Sequence, residues 1–302
     1  MTSSAAPPAI AADLVGTVVG PVAHEIDARW LMAYAAALRE RAPGYFDTLS
    51  ARGPQAHPLF AVCYEWPAAL ALRERVVPAA LRSRGVHATH RLIIHRAPRA
   101  GDRLRTTGRV TSIERRRSGT LVVGRFETVD AGGYPVTTTE YGSVYRGVAP
   151  DGAGDGPGAD RPAAVSSAAA GSDIRWTAPV QVDANAAWVY TECARIWNPI
   201  HTDVAVARAA GLPAPILHGT ATLALAVSRV LERETDGDPV AVAEVSARFT
   251  GMVAMPSTLA IRGRERHADA VDFDAIDDTG AAVLAAGRLR FRRATLPSSK
   301  EP

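Results

Sequence analysis

Hydrophobic and polar positions follow the same order twice along this 302-residue chain. In the first half Asp27 stands where an N-cap belongs and opens a short helix to about Leu38. A proline-containing loop leads to a longer helix near Ala61–Val76. Runs in which Val, Ile, Thr and Phe alternate with polar residues then predict strands at His90–Ile94, Arg103–Arg115, Thr120–Asp130 and Thr137–Arg146. The second half starts a short helix at Asp183, ending near Ala194, and a longer one near Gly219–Glu232. In that longer helix Leu223, Val227, Val230 and Leu231 recur at helical spacing. Strands follow at Val242–Thr250, Thr258–Arg266, Ala270–Asp277 and Ala281–Arg292. A long helix against an antiparallel sheet, made twice, is an α+β layout.

The duplication has a fixed offset of 156 residues. Asp27, Tyr34 and the run Ala42-Pro43-Gly44-Tyr45-Phe46-Asp47 correspond to Asp183, Tyr190 and Asn198-Pro199-Ile200-His201-Thr202-Asp203. Between the halves, residues 148–172 are rich in Gly, Pro, Ala and Ser without a hydrophobic period, and read as a flexible linker. The expected organisation is a first unit over 1–147, the linker, a second unit over 173–294 and a tail over 295–302.

Composition narrows the class without naming a chemistry. At 47% hydrophobic and 22% charged residues, the chain has the profile of a globular protein with a sizeable core. Two cysteines, Cys63 and Cys193, cannot frame a metal finger, and two reduced thiols are the simpler reading. The start lacks the pattern of a secretory signal and no apolar run is long enough to span a membrane, so a cytoplasmic location is expected. The net charge of +3 conceals an asymmetry: residues 1–150 carry +7 and residues 151–302 carry −4. The first half could therefore meet phosphates, but no aromatic ladder accompanies the charge and nucleic acid is not expected as a partner.

Chemistry concentrates in one stretch. Trp197-Asn198-Pro199-Ile200-His201-Thr202-Asp203 is followed by Ala209-Ala210-Gly211-Leu212-Pro213 and by Pro215-Ile216-Leu217-His218-Gly219 at the start of the long helix. This combination resembles the MaoC-like (R)-enoyl-CoA hydratase/dehydratase family, whose pattern is Gly-Asp-x-Asn-Pro-hydrophobic-His-x-Asp with a downstream His-Gly. The first half resembles the degenerate N-terminal unit of double-hotdog members, and Arg99-Ala100-Gly101-Asp102 resembles their recurring Gly-Asp turn. The resemblance implies a double hotdog fold and addition of water to an α,β-unsaturated acyl thioester, or the reverse. By the same resemblance His201 is the base, Asn198 positions it or the water, and the Gly219 N–H is the oxyanion donor. A neutral imidazole suits proton abstraction near pH 7, and a helix N-terminus suits developing enolate charge.

One departure is large. The family's Asp falls on Ile196 and its preceding Gly on Arg195, and an isoleucine cannot shuttle a proton. Three readings follow: another carboxylate substitutes, with Glu192 nearest in sequence; His201 works alone on a specialised elimination or cyclisation; or the chain is a thioester-binding subunit without catalysis. The offset sets Glu40 opposite Ile196 and Tyr45 opposite His201, which reads as wall and scaffold. Ile196, Trp197, His218 and Arg248 are candidate substrate contacts. Asp203 is expected to cap a helix starting at Val204. His87, His90 and His95 lack partners with ligand spacing, so no metal and no cofactor is expected. The expected partner is an acyl-CoA or acyl-carrier-protein thioester, with a homodimer of double hotdogs as the possible assembly.

Overall fold

A computed structural model describes residues 9–151 and 173–292. The first half contains β1 (Ile10–Ala11), β2 (Val18–Glu25), α1 (Ala28–Ala37), α2 (Ala61–Val76), β3 (Gly85–Ile94), β4 (Arg103–Arg116), β5 (Gly119–Val129), β6 (Pro135–Arg146) and β7 (Pro150–Asp151). The second contains β8 (Trp176–Val182), α3 (Ala186–Ala194), α4 (Val204–Ala209), α5 (Gly219–Glu234), β9 (Val242–Phe249), β10 (Ser257–Arg266), β11 (Ala270–Ile276) and β12 (Ala282–Phe291). Ten strands form one antiparallel sheet in the order β2-β4-β5-β6-β3-β9-β12-β11-β10-β8. The seam is β3 against β9, with Thr89 opposite Arg248 and Ile93 opposite Glu244. Read from either edge, the order gives corresponding strands of the two halves. The fold is a double hotdog.

Besides the short β1 and β7, two strands of the large sheet escaped the sequence pattern. β2 and β8 open their halves and form the two outer edges of the sheet. Each contains a proline, Pro21 or Pro179, which weakens a strand signal in sequence and is tolerated at a sheet edge. The expected linker also needs correction at its start. Val148 is buried and its carbonyl accepts the Thr120 hydroxyl at 2.7 Å, while β7 pairs with β1. The first half therefore extends to Asp151; residues 152–172 and 293–302 lie outside the described residues.

The 156-residue offset becomes an approximate two-fold axis. Tyr34 on α1 and Tyr190 on α3 place their buried hydroxyls 3.3 Å apart. Around them the charges cross over: Arg39 pairs with Asp183, and Arg195 lies 3.5 Å from Asp27. Both arginines hold the left-handed backbone conformation, with φ of 58° and 59°, and both stand just past a helix end, where such a residue stops the helix. Asp27 caps α1 as expected, accepting the Trp30 N–H at 2.7 Å. Asp183 does not cap α3, whose cap is Asn185; its carboxylate is turned to Arg39 instead.

The two long helices are buried differently. Nearly every residue of α5 from Thr220 to Leu231 is buried. On α2, Val62, Glu65, Ala69, Leu72 and Val76, spaced three or four apart, lie on one face and line a cavity. Across from that face are Val122, Gly124 and Phe126 of β5 and Tyr141 and Tyr145 of β6. The long helix of the second hotdog is buried along most of its length, whereas that of the first turns one face to a cavity.

Candidate active site

The motif loop is held in place by α3 and the start of α5. The Tyr190 hydroxyl donates to Thr220 Oγ1 at 3.1 Å, and Thr191 Oγ1 lies 3.2 Å from His218 Nε2. These contacts pin the first turn of α5. Ahead of it, Pro199–His201 form a single 3-10 turn, in which the His201 N–H donates to the Asn198 carbonyl at 3.1 Å. Asp203 caps α4 as its sequence position suggested, accepting the N–H groups of Ala205 and Val206.

His201 is fixed at one ring edge and one ring face. Its Nδ1 donates to the Ile216 carbonyl at 2.8 Å, and its ring stacks on His218 with centroids 3.7 Å apart. Because a carbonyl can only accept, the proton resides on Nδ1 and Nε2 carries the lone pair. Burial lowers the His201 pKa to about 4, so the ring is neutral at pH 7. His218 is pushed well below the ordinary value, first by burial and then by His201. The pair therefore offers one oriented acceptor and no cation.

The cavity measures about 550 Å³ and is lined from both halves. Ile196, Asn198, His201, His218 and Gly219 all reach it. Gly219 is the first residue of α5, where an N–H has no partner within the helix. A Cβ there would stand 3.2 Å from the ring of Phe249, so glycine keeps this approach open. Asn198 makes no capping bond with its side chain, leaving the amide available to a ligand. Ile196 is buried among apolar neighbours and forms part of the wall.

Two of the proposed contacts stand elsewhere. Trp197 is 60% exposed, and neither it nor Arg248 lines the cavity. Phe249 turns inward toward Gly219, so strand alternation directs its neighbour Arg248 to the opposite face. Glu192, the carboxylate nearest in sequence to Ile196, is exposed on α3 and also does not line the cavity. Glu40 lies in a separate buried cluster. It accepts the Ser228 hydroxyl, while Ser228 Oγ is 3.3 Å from His57 Nε2. His57 Nδ1 accepts the Leu59 N–H at 3.1 Å, so its Nε2 carries the proton and cannot activate the serine. Tyr45 stacks on His57 beside this cluster. The arrangement ties the halves together rather than forming a second reactive centre.

Among the described residues, one group, Glu265, His267 and Asp272, comes close enough to hold a metal. Asp272 is already engaged there by Arg288, at 2.6 and 2.9 Å, and by His267 at 3.1 Å. A guanidinium occupies the place a cation would take. Cys63 and Cys193 are both free thiols.

One carboxyl on the cavity was missed by reading the sequence. Glu65 is the only carboxyl among the described residues lining the cavity, and it is 4% exposed. Its signal in the sequence is a lone acid in the otherwise apolar start of α2, Ala61-Val62-Cys63-Tyr64-Glu65-Trp66.

Comparison with known proteins agrees with the fold. Residues 165–283 match the MaoC-like domain model, and residues 13–139 match the FAS1-like dehydratase domain region. The chain belongs to the MaoC-like dehydratase family. A MaoC-like dehydratase from Phytophthora capsici superposes with a TM-score of 0.82 at 20% identity, covering 93% of this chain and 97% of that one. Within the family the sequence relatives are local. The peroxisomal enoyl-CoA hydratase 2 of Arabidopsis thaliana is 43% identical over 63 residues, which are 21% of this chain and 20% of that protein. A UPF0336 protein of Saccharopolyspora erythraea is 32% identical over 138 residues, 44% of this chain and 88% of that protein. The match thus spans about a fifth of the plant hydratase and most of the bacterial protein. Among the described residues no helix is long and apolar enough to cross a membrane.

Proposed function

We propose that this MaoC-like protein adds water to a trans-2-enoyl thioester, or removes it from the 3-hydroxyacyl thioester, on coenzyme A or an acyl carrier protein. The observation that carries this reading is His201, held as the Nδ1–H tautomer on a cavity that the N-terminus of α5 also reaches. In the hydration direction Nε2 takes a proton from water as its oxygen bonds to C3. Enolate charge then develops on the thioester oxygen, where the Gly219 N–H and the positive end of the helix favour it. Asn198 positions the water. The acyl chain extends into the hollow beneath α2.

A second reading has its own observation, the isoleucine at the position of the family's Asp. In that reading His201 is a lone base for elimination or cyclisation of a specialised substrate, or the protein binds thioesters without turnover. Hydration of a short trans-2-enoyl-CoA by the wild type, His201→Ala and Ile196→Asp separates them. Hydratase action predicts wild-type turnover that falls about 10²–10⁴-fold in His201→Ala. An inert wild type that gains activity in Ile196→Asp would favour the second reading and overturn the first.

A further inference from the structure

Water addition moves two protons: one leaves the water and one arrives at C2. His201 accounts for the first. Ile196 cannot supply the second, and neither Glu192 nor Glu40 lines the cavity. Glu65 lines the cavity from the other hotdog, one turn into α2. We propose that Glu65 is the acid of this site, a catalytic residue contributed by the half that lacks the motif and working with His201 of the half that carries it. This inference rests on the proposed hydratase reading and names its missing proton donor.

The setting of Glu65 suits that task. Its Oε1 accepts the Thr139 hydroxyl at 2.7 Å and the Thr137 hydroxyl at 3.3 Å, both from β6. Thr137 Oγ1 is in turn 3.0 Å from the Tyr64 hydroxyl. These bonds fix the carboxyl on one oxygen and leave the other for a ligand. Burial raises the Glu65 pKa to about 7 against the lowering effect of the two hydroxyls. A carboxyl with this value gives up a proton readily at neutral pH and takes it back. The other titratable groups on the cavity do not compete in that range. Burial pushes His87, His201 and His218 down and Tyr141 and Tyr145 up. Arg73, on the same face of α2, adds a cation and no proton.

The step balances. Water loses a proton to His201 Nε2 as its oxygen bonds to C3, and the C2–C3 π pair moves toward C2 and the thioester carbonyl. The Glu65 carboxyl then gives its proton to C2. Imidazolium and carboxylate remain, and a proton passed from one to the other through solvent restores the resting state. Elimination is the microscopic reverse.

The test uses Glu65→Gln and Glu65→Asp in the full chain, with a short trans-2-enoyl-CoA as substrate. Affinity is read with the saturated acyl-CoA of the same length, and folding by thermal melting. We expect Glu65→Gln to lose about 10²-fold or more in kcat, with affinity for the saturated acyl-CoA within about twofold. We expect Glu65→Asp to retain part of the rate. The wild-type hydration rate should fall as pH rises through about 7, and the residual rate of Glu65→Gln should lack that limb. A Glu65→Gln enzyme within about threefold of wild type while His201→Ala is dead would overturn the role of Glu65 alone. So would a loss matched by equal losses of affinity or melting temperature in both Glu65 variants. Wild-type protein that neither turns over the enoyl-CoA nor binds its saturated analogue would instead sink the hydratase reading, and the Glu65 role with it.

Discussion

The two hotdogs share a topology and differ in what lies beneath their long helices. α5 carries small and branched residues, Thr220-Ala221-Thr222-Leu223-Ala224-Leu225-Ala226-Val227, and sinks into the sheet with almost no exposed surface. α2 carries Pro67 within it and exposes Trp66, Ala69 and Arg73 in part. Its inward face meets a cavity instead of a packed layer. The second half holds the motif loop through hydrogen bonds, Tyr190 to Thr220 and Thr191 to His218. The first half provides volume. A duplicated fold has divided anchoring and capacity between its copies.

The sharpest way to break this comparison is to add the same bulk to both helices. Ala224 is fully buried, and Ala224→Phe should overpack α5 and destabilise the fold by about 1–3 kcal/mol or more. Ala69 lines the cavity, and Ala69→Phe should fold normally. Its penalty should fall on substrate: about tenfold or more in kcat/KM for a ten-carbon enoyl-CoA, with a four-carbon one nearly unaffected. Urea titration and chain-length kinetics check the two limbs, and equal stability losses would refute the contrast between the two helices.

Acid should destabilise both halves. Burial lowers His57 to about 3 and His90 to about 4 in the first half, and His201 to about 4 in the second. Unfolded, each ring would protonate near 6.5, so the unfolded chain takes up protons first as the pH falls. Stability contributed by these neutral rings is lost between about pH 6.5 and 4, at up to about 1.4 kcal/mol per pH unit for each ring. Glu65, raised to about 7, works in the opposite sense, favouring the fold as pH falls from 7 toward 4.5. The histidines outnumber it, and melting temperature should drop on acidification across that window. His90 sharpens the point, because neither of its buried ring nitrogens has a partner. His90→Leu should raise the melting temperature more at pH 5 than at pH 8.

The smallest effect concerns the crossed ion pairs. Asp27→Ala loses both a helix cap and the contact to Arg195, and should cost about 1–2 kcal/mol. Asp183→Ala loses only an exposed pair with Arg39 and should cost about 0.2–1 kcal/mol. Equal values in chemical denaturation would mean that the cap at Asp27 contributes nothing.

Much of this could be read along the chain. The repeat offset was legible because Asp27 and Asp183, Tyr34 and Tyr190, and the two proline turns are spaced alike, and it reappears as the contact between the two tyrosine hydroxyls. That His201, Asn198 and Gly219 meet at one cavity was legible, because a local motif keeps them within about one loop and one helix start. The edge strands were not, since Pro21 and Pro179 hide the alternation there. Nor was Glu65, which comes to the cavity through the pairing of two distant halves and has no partner within reach in sequence. Trp197 and Arg248 do not line the cavity, because a residue's place in sequence does not fix which face its side chain takes.

The β3–β9 seam has a consequence for how such a site can change. In a dimer of identical subunits, any substitution is made at two symmetric places, so a residue that deepens one wall also deepens the wall around its mate. Here the seam joins halves with separate codons. A glutamate stands at position 65 in α2 while Thr222 and Leu223 stand in α5. Covalent tandem linkage frees each wall of the cavity to mutate independently of the other.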